Sequence, residues 1–264
     1  HGWCYQWGCF DIQGNIVIPF EYDIIEDFVN GIARAKKNNR WGYIDNKGNL
    51  LIEDPIEITN GLIKGRKFSK WGIEKANGEI QVPFDYDEIE VFVDGIAKAQ
   101  KDYCWGCLDI QGNTIIPFEY DIIEEFINGI AKAQKDYCWG CLDIQGNTII
   151  PFEYDKIEDF VNGIARAKKG DGWRSYRWGC FDIQGNTIIP FEYDKIEDFV
   201  DGKAKAKLKG NWGYIDLSGN SIIEDAIDIS NGLIKGRKFE KWGIETSNGE
   251  IQVPFDYDEI EVFV

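Results

Sequence analysis

Between Gly95 and Asn128 the chain alternates apolar and polar positions at the two-residue beat of a pleated strand. In Ile96-Ala97-Lys98-Ala99-Gln100-Lys101, Ala97 and Ala99 fall on one face and Ile96 and Lys98 on the other; side chains as small as alanine let a second surface approach closely. Cys104 to Asp109 reads as a second strand. The phrase Asp109-Ile110-Gln111-Gly112-Asn113 then turns the chain, with Gly112 supplying the positive φ that such a hairpin needs. Thr114 to Ile116 forms a third strand, which Pro117 ends because proline has no N–H to give a ladder. Phe118 to Asn128 fits two descriptions: one or two helical turns capped by Asp121 and stopped at Asn128-Gly129, or an extended piece closed by a tight hairpin at that dipeptide. The stretch predicts three antiparallel strands and a short turn-like connection.

This pattern recurs along the chain. Trp-Gly occurs eight times, at Trp7, Trp41, Trp71, Trp105, Trp139, Trp178, Trp212 and Trp242, with separations of 34, 30, 34, 34, 39, 34 and 30 residues. Gly95 to Asp121 returns unchanged as Gly129 to Asp155, and Trp71 to Val93 returns as Trp242 to Val264 with only Lys75 and Ala76 replaced, by Thr246 and Ser247. Such a period identifies a repeat architecture whose units are each too small to bury their own apolar face. The expected fold is all-β, an open repeat array (a solenoid or superhelix) of about eight three-stranded antiparallel units. A closed, propeller-like ring is the alternative. The repeats fall roughly at residues 1–30, 31–60, 61–94, 95–128, 129–162, 163–201, 202–231 and 232–264 and form a single array.

The second and seventh repeats lack Pro-Phe-Glu-Tyr-Asp and carry Glu53-Asp54-Pro55-Ile56 and Glu224-Asp225-Ala226-Ile227 instead, which marks them as bends or thin points. Both chain ends fall inside a repeat and no methionine is present, so the chain is expected to be an excerpt of a longer array. The eight motif tryptophans are expected to be structural, their indoles forming a continuous apolar spine. On that basis Trp105→Ala would empty a core site at a cost of roughly 3–5 kcal/mol.

Composition narrows the function. With 44% hydrophobic and 14% aromatic residues the chain can bury a large apolar surface and is not a disordered tract. A formal charge of -17 argues against nucleic acid and anionic membranes as partners, because both need a basic surface. No apolar run approaches the roughly 18 residues of a membrane helix. The charges are ordered: acids gather in Glu119-Tyr120-Asp121 and Glu124-Glu125 while Lys132 and Lys135 follow in the next strand. Stacked repeats would set an acidic stripe beside a basic one. Asp45-Asn46-Lys47-Gly48 lacks the alternating acids of a calcium loop.

Trp-Gly-Tyr-Ile-Asp at Trp41 and Trp212, the Gly-x-x-Ile-Ile-Pro run, Tyr-Asp and Phe-x-x-Gly-Ile-Ala resemble the WG-repeat family. The resemblance covers essentially the whole chain. It implies an all-β scaffold used for binding rather than a reaction, in a family that is mostly bacterial and often exported. Cysteine replaces the first tyrosine of the phrase at Cys9, Cys107, Cys141 and Cys180.

Candidate chemistry is sparse. Cys104-Trp105-Gly106-Cys107 and Cys138-Trp139-Gly140-Cys141 have the C-x2-C spacing of zinc or dithiol sites. In a strand, however, residues three apart point to opposite faces, so each pair diverges. Cys107 and its equivalents are expected in the core, and Cys104 and Cys138 on the surface. Seven cysteines without a disulfide framework lean towards a reducing cytoplasm, with an exported or cell-surface location as the alternative. The only histidine is His1, which leaves no nucleophile–histidine system. Carboxylates such as Asp121 and Glu124 recur in repeat after repeat, whereas a single active site should break the repeat. No catalytic residue, cofactor site or metal site is therefore assigned.

The 39-residue repeat does break the pattern, with a loop Gly170-Asp171-Gly172-Trp173-Arg174-Ser175-Tyr176-Arg177 whose counterpart at the chain start contains Trp3. Tryptophan beside arginine and tyrosine in a loop has the composition of a contact hot spot. Trp3, Trp173, Arg174 and Tyr176 are the candidate binding residues. The function expected is a non-enzymatic scaffold for protein–protein interaction or self-association, with an extracellular structural or adhesive filament and a glycan-binding module as alternatives.

Overall fold

A computed structural model describes residues 5–58, 61–170, 176–229 and 231–261. The chain forms two compact units, His1–Ile123 and Glu124–Val264. All the described regular structure is β, in antiparallel sheets none of which closes into a barrel.

The fourth repeat shows why. Ile96–Lys101 pairs with Cys104–Asp109 without a break, setting Ala97 opposite Leu108 and Ala99 opposite Gly106. The third strand is longer than predicted, running from Thr114 to Tyr120 through Pro117. Its register opposes Cys107 to Ile116 but Trp105 to Tyr120, so the extra residues around Pro117 form a bulge. A bulge needs no ladder N–H from the proline, which is how the strand continues past it.

The connection that follows holds no helix. A two-residue strand, Glu88–Ile89 in the third repeat, pairs with Ala99 and Gln100. Val93 and Ile96 then bridge across Asp94-Gly95, both at positive φ (50° and 83°). Two left-handed residues in succession make the primed turn that suits a two-residue hairpin. The hairpin description holds and the capped helical turn is corrected. A sheet therefore has four strands rather than three, as in Glu88–Ile89, Ile96–Lys101, Cys104–Asp109 and Thr114–Tyr120.

The two shortened repeats correct the expectation of thin points. Leu50–Glu57 pairs with Arg40–Asp45 on one side and Leu62–Lys67 on the other, so Ile24–Ile25 to Ile80–Tyr86 make one seven-stranded sheet. Ser221–Asp228 does the same in the second compact unit, joining Lys195–Ile196 to Ile251–Tyr257. Deleting the phrase removes the crossing to a new sheet, and the strand runs on.

The core lies between consecutive repeats. Ile73, Val82, Tyr86 and Ile89 of the third pack with Ala97, Ala99 and Leu108 of the fourth. In the second compact unit Cys141, Ile150 and Tyr154 meet Ile157, Ala165, Ala167 and Phe181 in the same way. Enclosing an Ile or Leu side chain is worth about 2 kcal/mol, and within each unit these sheets gain it from one another. The indoles are not the spine: the seven from Trp41 to Trp242 are half-buried and Trp7 is 53% exposed. Trp71, Trp139 and Trp178 sit at the margins of clusters whose enclosed members are Ile, Val, Ala, Leu, Cys, Phe and Tyr. The glycine after each tryptophan is the tight point. A Cβ on Gly106 would stand 2.7 Å from the Ile116 carbonyl oxygen and 2.9 Å from the Phe118 ring.

Candidate functional site

The first two strands of most repeats are joined by a two-residue turn that sequence reasoning passed over. In Lys101-Asp102-Tyr103-Cys104 the central residues have φ of 52° and 68°, and in Lys67-Phe68-Ser69-Lys70 also 52° and 68°. Primed turns normally carry Asn-Gly, and a bulky residue held there is strained. The rings at these tips are almost wholly in water: Phe68 is 99% exposed, Tyr103 90%, Tyr137 89% and Phe239 99%. The Tyr-Asp aspartate of the preceding phrase holds the tip. Asp87 accepts the Asp102 N–H at 2.9 Å, and Asp194 accepts the Gly210 N–H at 2.8 Å. The signal in the sequence was an aromatic between two strands separated by only two residues.

Of the residues picked out from the sequence, Trp3, Trp173 and Arg174 lie outside the described residues. Tyr176 is 47% exposed and opposes Gly170, one step beyond the six-residue strands of other repeats. Its ring carries the Lys168 ammonium 3.6 Å from the centroid, a cation–π contact that fixes it at the base of the hairpin. Arg177 pairs with Asp194. The ladder of this repeat therefore runs one pair further, Gly170 with Tyr176, than the ladders that end beside Tyr103 and Tyr137.

Charge compensation has a specific form. The middle cation of the first strand lies over the following indole, with Lys64 5.1 Å from the Trp71 centroid and Arg34 4.2 Å from that of Trp41. It also reaches the next sheet. Lys64 donates to the Ile89 carbonyl at 2.9 Å, and Arg166 donates to the Ile196 carbonyl at 2.9 Å while pairing with Glu158 and Asp198. Lys132 lies between Glu124 at 2.9 Å and Asp159 at 2.6 Å. Trp71 and Trp242 thus serve as platforms for Lys64 and Lys235, whose ammonium groups donate to the Ile89 and Ile260 carbonyls.

Cys107, Cys141 and Cys180 are buried, and burial pushes each thiol up to about 12, which removes the thiolate that reactivity requires. Cys104 and Cys138, expected at the surface, are half-buried. Among the described residues no three His, Cys, Asp or Glu side chains converge as a metal site would need, and no helix is long and apolar enough to cross a membrane.

The turn aspartates are occupied locally. Asp45 accepts the Asn49 side-chain amide at 2.8 Å and the Lys47 and Asn49 N–H groups at 2.8 and 2.9 Å. Hydrogen bonds from Asn15, Asn49 and Asn186 hold Asp11, Asp45 and Asp182 below the ordinary 3.8. A carboxylate whose pKa is depressed on folding contributes stability above its unfolded value and loses it as pH falls through the folded one. The melting temperature is therefore expected to drop as pH falls below about 4, and the drop to be smaller in Asp182→Asn, as read by circular dichroism. A drop of the same size in the variant counts against the turn carboxylate as its source.

No curated protein matches this chain in sequence. Among solved structures it is similar to a eukaryotic initiation factor (10% identity, 94% of this chain and 73% of that chain, TM-score 0.34). Kluyveromyces lactis Hsv2p matches at 8% identity over 89% of this chain and 99% of that chain, with a TM-score of 0.30. The WD40 domain of Neurospora crassa Pan2 matches at 10% identity over 85% of each chain, with a TM-score of 0.29. The sequence profile of the WG containing repeat matches residues 7–41, 41–53, 71–103, 105–137, 139–173, 178–212 and 212–242. With most of its length matched in seven successive segments, the chain belongs to the WG containing repeat family.

Proposed function

We propose that this chain is a non-enzymatic binding scaffold that engages protein partners through the aromatic tips of its hairpins. The observation that carries this is the placement of Phe68, Tyr103, Tyr137 and Phe239, exposed rings held in left-handed turns. The rings stand largely in water, and left-handed backbone costs roughly 1–2 kcal/mol for a residue with a Cβ. The second repeat uses Asn38-Asn39 at the equivalent turn, and asparagine tolerates that conformation. Strain kept at an exposed position points to recognition, and tyrosine offers a rigid contact at low entropy cost.

Tyr103→Asn/Tyr137→Asn is expected to melt at or above the parent temperature while losing capture of partners from a lysate of the source cells. Retained capture, or a melting temperature several degrees lower, would show that the rings serve the fold. A second reading, glycan binding, draws on the same open ring faces, which suit the apolar face of a sugar. Titration with oligosaccharides separates the two, since a glycan site responds without any protein partner.

A further inference from the structure

The glycine of each Trp-Gly is covered by a side chain in seven repeats and open in one. Phe20, Phe84, Phe118, Phe152, Phe191 and Phe255 lie over Gly8, Gly72, Gly106, Gly140, Gly179 and Gly243, each with a ring carbon within 2.9 Å of the point where a Cβ on that glycine would stand. In the second repeat, where the phenylalanine is missing, Leu50 covers Gly42 at 2.7 Å. In the seventh, a Cβ on Gly213 meets only backbone, the Ile223 carbonyl oxygen at 2.7 Å and the Glu224 Cα at 3.7 Å.

Two departures from the common pattern, Asp225 and Leu208, meet a small residue, Ser221, at this point. Asp225 stands where the phrase has phenylalanine and pairs with Arg237. Ser221 stands where the second repeat has Leu50. Leu208 stands where the other repeats have Lys37, Lys67, Lys101, Lys135, Lys169 and Lys238. Elsewhere that lysine lies over the ring, as Lys67 does 4.7 Å from the Phe84 centroid, or pairs with the acid beside it, as Lys101 does with Asp85 at 2.6 Å. Here ring and lysine are both replaced, and a hollow of about 280 Å³ opens whose lining includes the apolar Ala206, Leu208, Ile215 and Ile223 with Gly213, and the polar Ser221, Lys209, Glu224, Asp225 and Arg237.

We propose that this hollow is a binding site for a phenylalanine side chain presented by a protein partner, with an acidic residue next to it. The sister repeats define the occupant, because six of them place a phenyl ring over the corresponding glycine and an acid follows it, as in Phe118-Glu119 and Phe84-Asp85. Lys209 and Arg237 are the cations that line the hollow and would face that acid, beside Glu224 and the Asp225 that Arg237 already pairs with. An apolar recess with a few polar groups around it is the usual form of a specific pocket, and a ring inserted there recovers contacts that the fold leaves unmade. The site includes Lys209 of its own repeat's turn but none of the aromatic tips at Phe68, Tyr103, Tyr137 and Phe239.

The probe is acetyl-Gly-Pro-Phe-Glu-Gly-amide carrying 4-fluorophenylalanine, titrated into the chain and followed by fluorine NMR. One saturable site is expected. Ser221→Leu, which copies Leu50, should weaken binding by at least about tenfold, the loss expected of a central contact, and should not lower the melting temperature. Leu50→Ser should open the matching hollow in the second repeat and give a second site. Tyr103→Asn/Tyr137→Asn should bind as the parent does, which separates this site from the tip reading. Ser221→Val repeats the test should the leucine variant fail to fold. No saturable binding by the parent, equal affinity in parent and Ser221→Leu, or equal binding of the peptide with alanine for phenylalanine overturns the proposal.

Discussion

Ile116→Ala is expected to lower stability more than Trp105→Ala, although it removes the smaller side chain. Ile116 is wholly enclosed and opposes Cys107 across the ladder, so truncation leaves a cavity. An Ile→Ala change at such a site costs about 3–4 kcal/mol. Trp105 is half-buried, and part of the indole is wet in both states. Its loss is expected at about 2 kcal/mol, below the range for an enclosed tryptophan. Urea unfolding of the two variants, compared by midpoint, decides the order. A larger loss for Trp105→Ala would restore the indoles as the principal core and contradict the packing described above.

The misjudgement of the tryptophans follows from what a sequence displays. Periodicity and hydrophobicity mark an indole as apolar, and neither shows that one of its faces is occupied by a cation such as Lys64. The strands Ile96–Lys101 and Cys104–Asp109 were legible because two-residue alternation is a local property, and both have the predicted bounds. The third strand was cut short at Pro117 because the bulge that accommodates a proline depends on the partner's register. The segment after it was ambiguous for a related reason: Asp-Gly and Asn-Gly stop helices and turn hairpins alike, and the pairing of Glu88–Ile89 with the following strand decided between them.

The candidate sites divide in the same way. Loop 170–177 stood out because it breaks the repeat, whereas Tyr103 and Tyr137 were overlooked because they recur, yet recurrence is what a multivalent surface would show. Leu208 and Asp225 were each visible as single departures, and Ser221 as a small residue, spread over 18 positions of sequence. Only the strand order, which sets Lys203–Leu208, Asn211–Asp216 and Ser221–Asp228 side by side, brings them to one place.

Gly140→Ala is the second large effect expected, and it tests why the motif is Trp-Gly rather than tryptophan alone. The added Cβ would lie 2.7 Å from the Ile150 carbonyl oxygen and 2.9 Å from the Phe152 ring. The ring can swing outward, but the carbonyl belongs to a strand whose Ile150 is fixed opposite Cys141, so the ladder must open or the sheet must bend. Overpacking of this kind costs about 2 kcal/mol, after the small gain from alanine's lower unfolded-state entropy is set against it. Gly213→Ala supplies the internal comparison. It meets the same carbonyl contact, Ile223 O at 2.7 Å, without a ring behind it, so it should cost less. If the two variants unfold at the same urea concentration, the phenylalanine does not contribute to the requirement for glycine; if neither differs from the parent, the close approach of the strands is not what excludes a side chain there.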